Sequence, residues 1–162
     1  MLSVLRKICC FLNSLYTYVA VVLLAAIIVA SSLQVFTRYA MNASMVGTEE
    51  VARFCFIWMS LLGGSVCIAK NAHPAVTVIS DLLANIPRRV LNVAIYLLIL
   101  LSALLFLYYG YKMLQVIGNR YSPTLRVRMD IVFLSLPVGA VGMICNSLLG
   151  LCEQFTEGRT QA

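Results

Sequence analysis

RYAMNASMVGTEEVARFCFIWMSLLGG, residues 38–64, joins two strongly apolar runs and decides how the chain is organised. Thr48 is able to cap a helix, because its hydroxyl accepts a hydrogen bond from a free backbone N–H. Glu49 and Glu50 then fall in the first turn, where the positive end of the helix dipole favours acidic side chains. Arg53 follows them at spacings of four and three residues, so all three charges lie on one helical face. The stretch therefore predicts a helix that begins at a charged cluster and continues into apolar sequence.

The uncharged part of this helix is too short to cross a membrane by itself. Residues 54–69 provide 16 positions without a formal charge, which at ~1.5 Å per residue extend ~24 Å, less than a hydrocarbon core of ~30 Å. The span must therefore include its charged residues, and charge at that depth is costly unless it is paired. We expect Glu49 or Glu50 to pair with Arg53 or Arg38, and so to hold the first two spans against each other or against another subunit. The simpler alternative is a cap at the membrane interface with a snorkelling arginine.

Composition places the chain among integral membrane proteins. Of its 162 residues, 62% are hydrophobic and 11% are charged, whereas a soluble domain carries about 25% charged residues. The net charge of +6 does not indicate a nucleic-acid partner, because the basic residues stand at the ends of apolar runs, where they face lipid phosphates. The six cysteines include no CxxC pair and are expected to be small packing residues. The only histidine, His73, has no companions for a metal site.

Four apolar runs are long enough to span a membrane. The predicted spans cover approximately residues 11–36, 49–70, 89–112 and 130–152. Apolar residues also recur at intervals of three and four over residues 75–86, which predicts a short amphipathic helix in the interface plane. Pro137 is expected to bend or loosen the fourth span. The predicted fold is thus a single all-α integral membrane domain, residues 1–162, with four transmembrane helices plus a short interfacial amphipathic helix.

The centres of the predicted spans carry no acidic residue, which argues against a carrier that works alone. A proton- or sodium-coupled carrier normally needs ionisable or unwound polar sites near the membrane midplane. The sequence also has no nucleotide-binding loop, nucleophile elbow or metal-ligand cluster. The chain is therefore predicted to be no enzyme, to hold no cofactor, and to act by packing against another protein.

An ordered set of short motifs runs through nearly the whole chain. It comprises Arg38 and Tyr39, Thr48 to Arg53, Phe56 to Trp58, Gly63 and Gly64, His73, Ser122 to Leu125, and Leu136, Pro137, Val138 and Gly139. In this set the chain resembles the small membrane subunit of tripartite ATP-independent periplasmic (TRAP) transporters, the DctQ-like family. Pro74 and residues 127–129 depart from the family pattern, in the two loops that contain them.

The resemblance implies a role in transport. TRAP transporters take up organic acids, often C4-dicarboxylates or sialic acid, with a sodium gradient, after a periplasmic binding protein delivers the substrate. A large membrane subunit holds the substrate and sodium sites and moves as an elevator, while the small subunit is a fixed scaffold. The chain is then expected in the bacterial inner membrane, with both termini cytoplasmic and no substrate site of its own. Its expected partners are the large subunit, the binding protein and membrane lipid.

Two sets of residues are the candidate sites. The structural or subunit-interface set comprises Arg38, Tyr39, Glu49, Glu50, Arg53, Trp58, Gly63, Gly64, Pro137 and Gly139. The set expected to help dock the binding protein comprises Arg120, Arg126 and Arg128 in the loop after the third span. Trp58 is expected to pack at the subunit interface or to anchor in lipid. Counting basic residues leaves the orientation open, because both sides of the membrane receive the same number.

Two other classes of protein remain open from the sequence. One is a small four-helix membrane enzyme of the glutathione-transferase type, which requires an arginine-rich cofactor pocket. The other is a small homodimeric multidrug exporter, which requires an acidic residue well inside the first span. Residues 8–37 contain no acidic residue, and the arginines form no obvious cluster along the sequence.

Overall fold

A computed structural model describes residues 2–40, 46–69, 88–118 and 120–160, with side chains described for residues 6–40, 47–69, 92–118 and 120–152. The helices in these ranges are α1 Leu2–Ala40, α2 Val46–Ala69, α3 Arg88–Ile117, α4 Met129–Phe133 and α5 Ser135–Thr160. The predicted interfacial helix at residues 75–86 lies outside the described residues, as does His73.

Four helical segments are long and apolar enough to cross a membrane: Arg6–Ala40, Gly47–Ala69, Asn92–Ile117 and Met129–Cys152. Many of their large apolar side chains are exposed on the outside of the bundle, as expected where the surrounding solvent is lipid. The prediction of an all-α membrane protein with four transmembrane helices is confirmed. Helix α1 has 39 residues and extends ~58 Å, so it projects beyond a hydrocarbon core of ~30 Å.

Helix α5 is the element on which the other long helices pack. It contacts α1, α2 and α3, while α1 and α2 also lie along each other. Within the described residues, α3 contacts α4 and α5 but reaches neither α1 nor α2. The four spans therefore do not form a closed bundle: α5 lies between α3 and the α1–α2 pair.

Glycines of α5 allow the neighbouring helices to approach closely. A Cβ on Gly139 would lie 3.0 Å from the Cβ of Leu61 on α2, and a Cβ on Gly142 would overlap the Tyr16 ring and the Ser65 hydroxyl. Small residues at helix contacts favour association in lipid, because van der Waals packing replaces the hydrophobic force that acts in water. Gly139, predicted for an interface, thus contacts another helix of the same chain.

The hydrogen-bond ladder of the fourth span has a gap close to Pro137, although the Leu134 backbone stays in the right-handed helical region. Helix α4 ends at Phe133 and α5 begins at Ser135. Between them, the Leu134 N–H donates to the Asp130 carbonyl at 2.9 Å. Proline has no N–H to donate, and its ring crowds the carbonyl four residues earlier, which here belongs to Phe133. The expected loosening of this span is therefore found one turn before the proline.

Candidate functional site

The connection from α3 to α4, residues 120–129, is folded as a small hairpin, named here the loop hairpin. Tyr121 and Arg128 face each other in an antiparallel bridge. The Ser122 N–H donates to the Val127 carbonyl at 2.9 Å, which closes the turn between them. The loop after the third span is thus an ordered structure that presents side chains in defined directions.

Glu50 ties the loop hairpin to the beginning of α2. Its Oε2 accepts a hydrogen bond from the Leu125 N–H at 2.9 Å, across 75 positions of sequence. The Ser122 hydroxyl lies beside the same carboxylate, outside the geometry of a regular hydrogen bond, and has no other partner among the described residues. Ser122 is only 2% exposed, so its hydroxyl is a buried polar group beside this carboxylate. Glu50 therefore caps the turn instead of pairing with an arginine.

Glu49 and Arg53 form the ion pair at the start of α2. Arg53 Nη2 lies 2.8 Å from Glu49 Oε1, and the two side chains are 66% and 55% exposed. A pair four residues apart on an exposed helical face stabilises little. Both members belong to one helix, so the pair cannot itself join the first two spans. Arg38 is exposed at the end of α1 and makes no ion pair within the described part of the chain.

The three predicted docking arginines differ in their surroundings. Arg128 forms a forked pair with Asp130, with Nε 3.2 Å from Oδ1 and Nη2 2.7 Å from Oδ2. Hydrogen bonding and charge attraction from this carboxylate raise the pKa of the Arg128 guanidinium, and the positive charge is neutralised locally. Arg120 and Arg126 are exposed and form no ion pair among the described residues. Two of the three arginines therefore keep an uncompensated charge.

A partly buried hydrogen-bond network, named here the amide network, joins α1, α2 and α5 within the membrane-spanning segments. The side-chain amides of Asn13 and Asn146 exchange two hydrogen bonds, each 2.9 Å long. Asn146 Nδ2 also donates to the Ser65 carbonyl at 2.9 Å. Burying an amide without partners is costly in an apolar medium, and reciprocal pairing removes most of that penalty. The network thus holds three spans in one arrangement.

Tyr16 adds a further link between α1 and α5. Its hydroxyl donates to the Val138 carbonyl at 2.8 Å. Sequence reasoning missed the roles of Tyr16, Asn13, Ser65 and Asn146 in joining helices. Two asparagines inside otherwise uncharged spans were the available signal, because polar side chains at such positions usually bond across helices.

The remaining residues of the predicted interface set do not share one location. Tyr39 is 81% exposed at the end of α1, and Trp58 is half-buried in α2. A Cβ on Gly64 would meet Met143 of α5 at 3.2 Å, whereas a Cβ on Gly63 would have nothing within 4 Å. Gly64 is thus used within the chain, while Gly63 lies at an open position on the surface of α2.

The described residues offer no arrangement for metal binding: no group of three or more His, Cys, Asp or Glu side chains lies close enough together. The six cysteines are free thiols. In the described spans, charged side chains stand near the helix ends, as in Arg6, Arg38, Glu49 and Lys112. The candidate site therefore consists of contacts between helices and of exposed residues on the surface of the bundle.

Residues 27–157 match the family model described as tripartite ATP-independent periplasmic transporters, DctQ component. The chain belongs to this family. It is 31% identical over 147 residues to the sialic acid TRAP transporter small permease protein SiaQ of Vibrio cholerae, an alignment that covers 91% of this chain and 83% of that protein. A putative TRAP transporter small permease protein of Haemophilus influenzae is 26% identical over 119 residues, 74% of each protein.

A longer relative is also similar to this DctQ-family chain. The sialic acid TRAP transporter permease protein SiaT of Haemophilus influenzae is 22% identical over 150 residues, which make up 93% of this chain but 24% of that protein. This chain is therefore similar to about a quarter of that longer protein.

Family membership settles the class of protein. The chain is a component of a transporter and not an enzyme, as the sequence predicted, and it is a multi-pass protein of the inner membrane. The glutathione-transferase and homodimeric exporter alternatives are excluded, because the family is defined by a different kind of assembly.

Proposed function

We propose that this DctQ-family chain is the small, non-substrate-binding scaffold subunit of a sodium-coupled TRAP transporter for an organic acid of the sialic acid or C4-dicarboxylate type. In this proposal it packs against a large elevator subunit, helps to dock a periplasmic binding protein, and has both termini in the cytoplasm. The amide network is the observation that carries the scaffold role. Asn13, Ser65 and Asn146 are polar residues of three different described spans, and Asn146 bonds to both of the others across helices.

A scaffold must resist movement while its partner slides past it. Hydrogen bonds between α1, α2 and α5, together with the glycine contacts at Gly139 and Gly142, hold these helices at short distances. Interiors packed in this way move between discrete arrangements rather than deforming continuously. These features support a fixed role for the small subunit, with substrate and sodium sites in the large one.

The outer face of α2 is the proposed contact for the large subunit. Phe56, Ser60, Gly63 and Cys67 recur at intervals of three and four residues, so they lie on one side of the helix. Phe56, Ser60 and Cys67 are exposed, and Gly63 has open space around it. Small residues at this spacing allow a helix of another protein to approach closely in lipid. The similarity to part of the longer permease SiaT supports a large partner.

The loop hairpin is the proposed contact for the binding protein. With cytoplasmic termini and four spans, the hairpin faces the periplasm. It exposes Arg120 and Arg126 with uncompensated charge, next to Tyr121, which is 61% exposed. Arginine and tyrosine are over-represented among residues that dominate binding energy at interfaces. An acidic patch on the binding protein is the complementary surface.

Co-purification tests the subunit assignment. The tagged chain, extracted from its native membrane in mild detergent, is expected to bring down a large polytopic permease in roughly equal amount. Gly63→Leu is expected to reduce that recovery strongly, because the side chain would fill the open position on α2, while Gly63→Ala retains the complex. Recovery of the chain alone, or as a homo-oligomer, would contradict the proposal.

Reconstituted transport tests the coupling and substrate class. Proteoliposomes containing both membrane subunits are expected to accumulate sialic acid or a C4-dicarboxylate only with an inward sodium gradient and the cognate binding protein. Uptake by the large subunit alone at the full rate would contradict a requirement for the scaffold. Accumulation without sodium would contradict the proposed coupling.

Charge neutralisation tests the docking surface. The double variant Arg120→Gln, Arg126→Asn is expected to raise the binding-protein concentration for half-maximal uptake by about tenfold, since two uncompensated charges are lost. Asparagine is chosen because it tolerates the left-handed backbone at Arg126, where φ is 52°. The matched control Arg128→Gln removes a charge that Asp130 already neutralises and is expected to have a smaller effect. Equal uptake by the unaltered chain, the double variant and Arg128→Gln would contradict docking of the binding protein at this surface.

A further inference from the structure

Arg126, at the tip of the loop hairpin, lies between two residues whose backbone groups are hydrogen-bonded. The Leu125 N–H before it donates to Glu50 Oε2 at 2.9 Å. The Val127 carbonyl after it accepts a hydrogen bond from the Ser122 N–H, also at 2.9 Å. Arg126 itself has a φ of 52°, in the left-handed region where a chain turns back. Its main chain is therefore held on both sides, and on one side the partner is a side chain of α2.

Arg120, at the base of the loop hairpin, is held by different groups. Its N–H donates to the Ile117 carbonyl at the end of α3, at 2.8 Å. Its carbonyl accepts a hydrogen bond from the Met129 N–H at the start of α4, at 3.0 Å. Both partners are backbone groups of the helices that the hairpin connects. The position of Arg120 is therefore set by α3 and α4, whereas that of Arg126 also depends on α2.

The contact between the hairpin tip and α2 involves several groups of the turn. Besides the Leu125 N–H, the Thr124 N–H and the Ser122 hydroxyl lie beside the carboxylate of Glu50. Successive N–H groups of a turn form a concavity that suits an anion. The Leu125 side chain also lies over the start of α2, since a Cβ on Gly47 would be 3.5 Å from Leu125 Cδ2. An exposed contact of this kind adds little to stability, because water replaces a lost partner, but it fixes where the tip lies.

We propose that Glu50 is a positioning residue for docking of the binding protein: its carboxylate holds Arg126 at a fixed place relative to α2. This inference rests on the proposed function of the loop hairpin as the docking surface. It goes further by giving a role in docking to a side chain whose own charge repels an acidic partner. A group that is already ordered loses less freedom on binding, which favours the complex. Because α2 also carries the proposed contact face for the large subunit, Glu50 places Arg126 relative to both partners.

Uptake measured at varied binding-protein concentration tests this role. In proteoliposomes with both membrane subunits, Glu50→Ala is expected to raise the concentration for half-maximal uptake about threefold, because Arg126 is no longer held. Maximal uptake is expected to stay unchanged. The matched control Glu49→Ala removes the same charge one residue earlier, from the exposed pair with Arg53, and is expected not to raise that concentration. An unchanged or lower concentration for Glu50→Ala would overturn the inference, since loss of charge repulsion alone predicts that direction.

A double-mutant cycle assigns the effect to Arg126. Alone, Arg126→Asn and Arg120→Gln are each expected to raise the half-maximal concentration about threefold. In the Glu50→Ala background, Arg126→Asn is expected to add almost nothing, because an arginine that is no longer held contributes little to docking. Arg120→Gln is expected to add its full effect there, since its position does not depend on α2. Full additivity of Arg126→Asn with Glu50→Ala would overturn the inference.

The same measurements distinguish failure of this inference from failure of the docking surface. If Arg120→Gln and Arg126→Asn have no effect in the otherwise unaltered chain, the hairpin is not the docking surface and both proposals fail. If both have their effects but Glu50→Ala has none, docking stands and the role of Glu50 alone is overturned. Glu50→Gln keeps an amide oxygen that accepts from the Leu125 N–H, and is expected to retain most of the affinity. A Glu50→Gln complex that elutes normally in size-exclusion chromatography but docks as weakly as Glu50→Ala would also overturn the inference.

Discussion

The amide network and the loop hairpin are two polar anchors of one chain, and they work in opposite surroundings. In the amide network, Asn13 and Asn146 pair inside the membrane-spanning part, and Asn146 is 4% exposed. At the hairpin, the Glu50 carboxylate caps the turn at Leu125 in a position open to solvent. Both anchors join elements that are far apart in sequence.

The contrast shows how the surroundings decide what an anchor contributes. In lipid a polar group that loses its partner has no water to replace it, so the partner left behind is penalised as well. At the aqueous surface, water takes the place of a lost hydrogen-bond partner, so the bond adds little to stability. Its main effect there is to fix the position of the group that it holds. The amide network is therefore expected to determine the stability of the folded chain. Glu50 is expected to fix the position of the loop hairpin relative to α2.

The largest effect is expected from breaking the amide network on one side only. Asn146→Leu leaves the Asn13 amide unpaired and is expected to lower the free energy of unfolding by about 1–3 kcal/mol. The double variant Asn13→Leu, Asn146→Leu removes both amides and is expected to be more stable than Asn146→Leu alone. Thermal unfolding in detergent measures both. If the double variant is less stable than Asn146→Leu, the network stabilises the fold by more than the hydrogen bonds between the two amides.

Adding a methyl group at the crossing of α1, α2 and α5 is expected to be nearly as damaging. Gly142→Ala places a Cβ against Tyr16 and Ser65, and overpacking of this kind costs about 1–3 kcal/mol. The matched control is Gly63→Ala, where nothing lies within 4 Å and the better helix propensity of alanine favours the folded state. Equal thermal stabilities of the two variants would contradict the described packing.

Removing the carboxylate of Glu50 is expected to act on the hairpin and not on global stability. Glu50→Ala deletes the acceptor of the Leu125 N–H, so amide hydrogen exchange in the loop hairpin should become several-fold faster. Glu49→Ala breaks only the exposed pair with Arg53 and should leave that exchange unchanged. Comparable acceleration in both variants would mean that the charge cluster as a whole, rather than Glu50, holds the hairpin.

The smallest effect is expected at the turn residue Arg126. Its φ of 52° lies in the left-handed region, which asparagine tolerates and β-branched residues avoid. Arg126→Asn should leave hairpin exchange unchanged, whereas Arg126→Val should accelerate it. If valine has no effect, the turn does not depend on this backbone conformation.

The helical spans were predictable because their signal is local. Long runs without charge, such as residues 8–37, identify a membrane span from length and composition alone. The pairing of Glu49 with Arg53 was also within reach, because a separation of four residues on a helix brings two side chains together. The loosening at Pro137 followed from the covalent structure of proline.

The partners of single polar residues were not predictable in the same way. Glu50 was expected to meet an arginine, but a hairpin 75 residues later approaches α2 and supplies the Leu125 N–H instead. Asn13 and Asn146 are 133 residues apart, and no periodicity connects them. Which polar groups meet depends on the crossing of α1 over α5, and that crossing is set by where glycines such as Gly142 allow close approach.

The amino-acid sequence by itself determined the class, the number of spans and the placement of charges at their ends, since these depend on hydrocarbon thickness and on the cost of burying charge. Tertiary structure alone decided that α5 is central and that α3 stands apart from α1 and α2. These features depend on the shapes of helix surfaces in contact. In lipid, where apolar side chains gain little by leaving the solvent, it is this fit together with a few hydrogen bonds that selects one arrangement.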